Sequence, residues 1–187
     1  SGEAAMHAIN QNKFGKTFFH LGPPRDASIF EKVKDNKTNI DSCDFILCTG
    51  LFDDHEENMD YYKNFLMKHT LKKLVCTNPD LIVHRGKKKE FCAGFIAKIF
   101  EELGGEVIYY GKPHKEIYEL CFEKNEKVLA IGDNLRTDIK GANNLNKDCL
   151  FISDGVHRDE LNNNSKLESL LDKYKVKANY FQKKLKW

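Results

Sequence analysis

The chain is predicted to be an α/β protein built on parallel sheet. Three observations carry this expectation. Short apolar runs alternate with amphipathic segments along the 187 residues. The later runs show little polar alternation, as strands covered on both faces require. Two of them stop abruptly at glycine followed by a charged residue, Gly111-Lys112 and Gly132-Asp133. Strand, helix and strand joined by connections of this length imply a parallel sheet with right-handed crossovers.

Taken in order, "EAAMHAINQN" from Glu3 reads as a helix, and "KTFFHLG" (16–22) as a strand stopped by Pro23-Pro24. A second strand is "DFILCTG" (44–50). Met59, Tyr62, Leu66 and Leu71 then follow helical spacing between Asn58 and Lys73. "KLVCTN" (73–78) is a third strand, ended by Asn78-Pro79-Asp80, and the basic stretch "HRGKKKE" (84–90) reads as a solvated loop. Phe91, Phe95, Ile96, Ile99, Phe100 and Leu103 form one helical stripe that Gly104-Gly105 terminates. Beyond it, "EVIYYG" (106–111), "KVLAIG" (127–132) and "CLFISD" (149–154) are strands of one sheet, separated by helices over 113–125 and 137–146. A domain boundary is expected at Gly104-Gly105, with an α/β unit on each side.

Composition narrows the function. With 41% hydrophobic and 31% charged residues and no apolar run near membrane-spanning length, the chain reads as soluble and globular. A net charge of +2 gives no global attraction to nucleic acid or membrane. The acidic run Asp53 to Asp60 and the basic run Lys173 to Lys186 read as solvated faces. Six cysteines, at 43, 48, 76, 92, 121 and 149, form no CxxC and sit mostly in apolar surroundings. They read as small buried hydrophobes of a reducing compartment; with no signal peptide in view, a cytoplasmic location is expected. The chain opens Ser1-Gly2-Glu3 rather than with Met, so it is expected to be a piece of a longer protein.

The chemistry is expected at the strand ends, where open parallel sheets bind ligands. Lys112 lies between a strand and Pro113, a residue suited to a first helical turn, so a cation and free N–H groups would meet an anion there. Asp133 has just left an apolar strand, where an unpaired charge is costly. Asp138 follows five residues later at the start of the next helix. Two hard carboxylates, waters and a phosphate oxygen suit Mg2+. Each residue alone has a plainer reading: a surface lysine, a turn cap, a helix N-terminal acid. Their recurrence at successive strand ends points to a site that binds phosphate and metal.

These residues also carry a resemblance. "GKP" followed by "GDNLRTDIKGA" resembles motifs III and IV of the haloacid dehalogenase (HAD) superfamily. "SGEAAMHAI" at the start, "TNPD" at 77–80, the stretch at 92–118 and "SDGVHRDEL" at 153–161 are similar to its class IIA, NagD-like branch. The resemblance implies a Rossmann-like parallel core carrying an inserted α/β cap. Residues 1–105 would be mostly cap, and 106–187 the C-terminal part of a core incomplete at its N-terminus. It implies that Lys112 neutralises phosphate and nucleophile, and that Asp133 and Asp138 hold Mg2+. It also makes Asn78 and Asp80 candidate substrate-specificity residues, whose plainer reading is a turn closing a strand. His84, Arg85 and Lys87 to Lys89 are weaker candidates for an anionic substrate.

One departure matters. The family's reaction starts at an aspartate in an Asp-x-Asp motif, which forms an aspartyl-phosphate, and this sequence contains no Asp-x-Asp. The expected function is therefore a Mg2+-dependent phosphohydrolase of a small phosphorylated metabolite, of which this chain carries cap and Lys/Asp half-site. The alternative is an inactive, HAD-derived binding or interaction module. A homo-oligomer is compatible with either. An unrelated nucleotide-binding fold lacks support, since neither G-x-G-x-x-G nor a P-loop occurs.

Overall fold

The computed structural model describes residues 2–56, 58–85, 88–118, 121–123, 125–162 and 166–186. The chain divides into two compact units, Ser1–Gly111 and Lys112–Trp187.

In the first unit, helix α1 (Gly2–Asn10) leads to β1 (Phe18–Leu21). A run of 3-10 turns over Pro24–Asn36 then connects to β2 (Phe45–Cys48). Helix α2 (Met59–Leu66) and β3 (Lys73–Cys76) follow, then β4 (Ile82–Arg85), β5 (Lys88–Phe91), α3 (Ala93–Glu102) and β6 (Glu106–Tyr109). Strands β1, β2, β3 and β6 form one sheet in that order, all parallel. The run Phe45 to Cys48 is buried throughout because β2 is an inner strand covered on both faces. Ile96, Ile99 and Phe100 of α3 pack against this sheet with Tyr62 and Leu66 of α2. Each such fully buried side chain contributes roughly 1.5–3 kcal/mol relative to exposure.

Two expectations need correction here. The boundary does not fall at Gly104-Gly105, because β6 pairs with β3 from Lys73↔Glu106 to Cys76↔Tyr109 and so completes the first sheet. The division comes after Gly111, so 106–111 is not part of the C-terminal unit. The basic stretch is also not a plain loop. Strands β4 and β5 form an antiparallel hairpin whose base is the apolar pair Ile82↔Phe91. Lys87 and the side chains of His84, Arg85, Lys88 and Lys89 lie outside the described residues.

The second unit opens with α4 (Lys115–Tyr118) and β7 (Leu129–Gly132). A π-helical turn, Leu135–Ile139, runs into α5 (Lys140–Asn144). Strand β8 (Asp148–Ile152), α6 (Arg158–Asn162), α7 (Leu167–Tyr174) and β9 (Tyr180–Gln182) complete it. The sheet is parallel, in the order β7-β8-β9. Its core face holds Cys149 and Phe151 against Leu135, Ile139, Leu170 and Val176.

The expectation that β7 is buried on both faces fails. Among the described residues it is an edge strand, and Leu129 and Ile131 are 46% and 39% exposed while Ala130 between them faces the core. The expected single sheet through 106–111, 127–132 and 149–154 is likewise two sheets, because its first strand found its partner in β3. Five cysteines are buried as expected, whereas Cys121 is exposed. No helix among the described residues is long and apolar enough to cross a membrane.

Candidate active site

Asp133 and Asp138 follow the carboxyl end of β7, and Lys112 reaches Asp138 there. Gly132 is the last residue of that strand, and a Cβ there would lie 2.3 Å from the Asp138 Cγ. Only a glycine lets the π-turn fold back so that Asp138 rests against the residue preceding Asp133. The side chain of Asp138 is 11% exposed, so its charge needs partners. One is the ammonium of Lys112, which donates to Oδ1; the other is Asn134 N–H, which donates to Oδ2 at 3.1 Å. The Asn134 Oδ1 in turn accepts Arg136 N–H at 2.9 Å and caps the turn.

Asp133 is held differently. Its Oδ2 accepts Val156 N–H at 3.0 Å, and Gly155 leaves the room, since a Cβ there would lie 2.1 Å from the same oxygen. Among the described residues, Oδ1 has no hydrogen-bond partner. The two carboxylates are thus placed by two glycines and two backbone N–H groups.

Tyr118 closes one flank of the site. Its hydroxyl packs on Gly141 of α5, where a Cβ would come within 1.9 Å. Burial, then the negative charge of Asp138, pushes the phenol up to about 12, so it remains a protonated donor.

Of the three residues expected together, the structure pairs Lys112 with Asp138 and holds Asp133 separately against Val156 N–H, and two further features differ from expectation. Lys112 is not joined to Asp133 through neighbouring strands of one sheet; it lies in the turn after β6 and reaches Asp138 by its side chain. Pro113 does not open a helix either, since α4 starts at Lys115. Asn78 and Asp80 belong to the first unit. Asn78 Oδ1 accepts Asp80 N–H at 3.1 Å, closing a turn after β3. Gly94 lets this turn lie on α3, as a Cβ there would meet Pro79 O at 2.2 Å. Both residues line a cavity of about 290 Å3 with Arg25, Asp26, Thr49 and Phe91. The turn reading and the pocket position therefore hold together.

The donor set fits a hard divalent cation in kind. Asp133 and Asp138 supply carboxylate oxygens, as Mg2+ takes from proteins alongside waters. Among the described residues no cluster of three or more His, Cys, Asp or Glu forms a larger metal site.

Residues 109–175, which span Lys112, Asp133 and Asp138, match the family model described as HAD-hydrolase-like. That stretch is HAD-like in sequence. A hydrolase of the haloacid dehalogenase-like family from Brucella suis 1330 is 28% identical, with a TM-score of 0.79, over 96% of this chain and 69% of that one. A p-nitrophenyl phosphatase from Archaeoglobus fulgidus shares the fold at 17% identity and a TM-score of 0.74, over 97% of this chain and 69% of its own. A 4-nitrophenylphosphatase from Thermotoga maritima does so at 22% and 0.66, over 96% and 67%. Among curated proteins none matches.

Sequence reading missed the residues that hold the aspartates. Gly132, Gly155 and the Val156 N–H act by backbone position, and His157 and Glu160 lie in "GVHRDEL", where the resemblance marked a segment without marking a role. The available signal was a histidine three residues before a glutamate, a spacing that puts both on one helical face.

Proposed function

We propose that this chain carries the phosphate- and metal-handling half of a class IIA HAD-like phosphohydrolase, together with its α/β cap. The substrate class is a small phosphorylated metabolite, a phosphomonoester, and the setting is the cytoplasm. The single observation that carries the reading is the Lys112–Asp138 pair beside Asp133 at the end of β7. The phosphatase names of the structurally similar proteins from Archaeoglobus fulgidus and Thermotoga maritima support it.

In this reading Asp133 and Asp138 hold Mg2+, with Asp133 Oδ1 the oxygen left open by the Val156 hydrogen bond. Bound there, the cation would supply charge neutralisation to phosphoryl oxygens in transfer. Lys112 is half exposed and can turn from Asp138 to an incoming phosphate, offering a point charge where negative charge develops. Tyr118 stays neutral beside Asp138 and keeps that flank from adding a second anion. Asn78 and Asp80, which line the cavity of the first unit, are the candidate specificity residues in this reading.

The covalent step needs an aspartate nucleophile, and the sequence has no Asp-x-Asp. The same observation favours the second reading, a binding or interaction module without turnover. Expression of the complete gene discriminates between them. The protein should hydrolyse p-nitrophenyl phosphate with Mg2+ and lose that activity on Asp133→Asn. An Asp-x-Asp in the gene product without any phosphomonoesterase activity sinks the hydrolase reading.

A further inference from the structure

The loop between β8 and α6 touches Asp133 and the turn that carries Asp138. Through Val156 N–H it holds Asp133. Its next residue, His157, is 2% exposed, and Nε2 accepts the N–H of Leu135 at 3.2 Å. Leu135 is the first residue of the π-turn that carries Asp138. The N–H groups at the start of a helical turn have no partner within it, and here one of them is taken by a side chain from another loop.

The hydrogen bonds settle the tautomer. A backbone N–H can only donate, so Nε2 must present its lone pair and the proton must sit on Nδ1. That proton goes to Glu160 Oε1 at 2.6 Å. Glu160 is fixed in turn by Lys173 Nζ at 2.6 Å and by the Tyr174 hydroxyl at 2.9 and 3.1 Å. Partial burial works to raise the Glu160 carboxyl, but the bonds from Lys173, His157 and Tyr174 outweigh it and hold it at about 2. Tyr174 then returns to the π-turn, accepting Arg136 Nη2 at 3.2 Å with the guanidinium over its ring. The π-turn is thus gripped at Leu135 and Arg136 by one closed circuit anchored on α7.

We propose that His157 is a positioning residue: as the neutral Nδ1–H tautomer, oriented by Glu160, it fixes the π-turn through Leu135 N–H and so sets Asp138 relative to Asp133 for a divalent cation. The proposal rests on the reading of Asp133 and Asp138 as a cation-binding pair. Residues one shell out from a metal commonly change its affinity 10–100-fold, because they orient the ligands without touching the ion.

The test uses Mn2+ alone as probe, followed by paramagnetic broadening of amide signals in the NMR spectrum of the chain, with thermal unfolding measured alongside. Wild type should lose the Asp133, Asp138 and Val156 signals on titration, and Asp133→Asn should abolish the effect. His157→Phe removes the acceptor and should weaken Mn2+ binding on the order of tenfold or more. His157→Gln, whose amide oxygen can take Leu135 N–H, should restore most of it at an equal or lower melting temperature. Wild-type affinity in both His157 variants, or an affinity that tracks only melting temperature, overturns the positioning role while the cation pair stands. No specific broadening in wild type overturns the cation pair itself, and the inference with it. A 15N spectrum of the unsubstituted imidazole is independent of variant folding. It should show a protonated Nδ1 and a bare Nε2, and the opposite tautomer rules the mechanism out.

Discussion

The two parallel sheets differ in how they use nearly the same kind of sequence. In β2 the run Phe45-Ile46-Leu47-Cys48 is at most 1% exposed, and the strand has a neighbour on each side. In β7 the run Leu129-Ala130-Ile131-Gly132 leaves Leu129 and Ile131 46% and 39% exposed, at a sheet edge. Among the described residues β2 is covered on both faces, whereas β7 is covered on one. An apolar run therefore specifies a strand without specifying how many of its faces are covered. The lesson extends to polar groups. In the first unit the strand ends open on a cavity, whereas in the second the end of β7 carries Asp133 and the Lys112–Asp138 pair.

The sharpest way to break this contrast is to ask where the chemistry resides. In the protein expressed from its complete gene, Lys112→Met should lower kcat for p-nitrophenyl phosphate on the order of 10^2–10^3-fold, the effect of removing one preorganised charge contact. Asn78→Ala should produce a smaller loss carried by KM. A larger kcat loss at Asn78 than at Lys112 would place the chemistry in the wrong unit.

Stability should divide the other way. Leu47→Ala, in β2, should cost roughly 2–5 kcal/mol in denaturant unfolding. Leu129→Ser, on the open face, should fall within about 0.5 kcal/mol of wild type. Similar costs at both positions would mean that something covers the face of β7.

Acid should separate the units as well. His20 is buried on β1 with Nε2 at 2.9 Å from Thr49 Oγ1, and burial, then the Lys37 charge, lowers it from 6.5 to about 4. Between those values the unfolded chain binds the proton that the fold refuses, so this contribution is present above pH 6.5 and lost as pH falls towards 4. Glu160 lies at about 2 against an ordinary 4.5, so its contribution is present above 4.5 and lost as pH falls towards 2. Hydrogen exchange measured down a pH series should show the amides of β1 and β2 losing protection before those of β8 and α7. His20→Asn should flatten the first step only.

The smallest effect concerns association. An edge strand with exposed apolar side chains invites pairing. Light scattering should detect weak self-association, reduced by Ile131→Lys with little change in melting temperature. A strictly monomeric wild type removes the open face as an interaction surface and leaves the rest of the comparison in place.

Much of this was legible before any coordinates. Each apolar run cited above is a strand, the α3 stripe of Ile96, Ile99 and Phe100 is buried, and Lys112 and Asp138, singled out by residue type, form an ion pair. What the runs do not encode is their partner. β6 looks like the first strand of the C-terminal unit by sequence order, yet its hydrogen bonds go to β3, and the boundary moves with it to Gly111. The hairpin of β4 and β5 was hidden by a basic composition that reads as solvated loop.

By itself the sequence determined what depends on neighbours along the chain: where strands and helices begin, where glycine interrupts them, and which side chains carry charge. These follow from backbone sterics, side-chain period and hydrophobicity, which act within a few residues. Tertiary structure alone decided which strand pairs with which, that β7 is an edge, and that the loop at Gly155–His157 returns to grip the turn bearing Asp138. Those are contacts between residues distant in sequence. They are selected by how the whole fold buries its apolar surface and satisfies its backbone N–H groups, and no local pattern reports that competition.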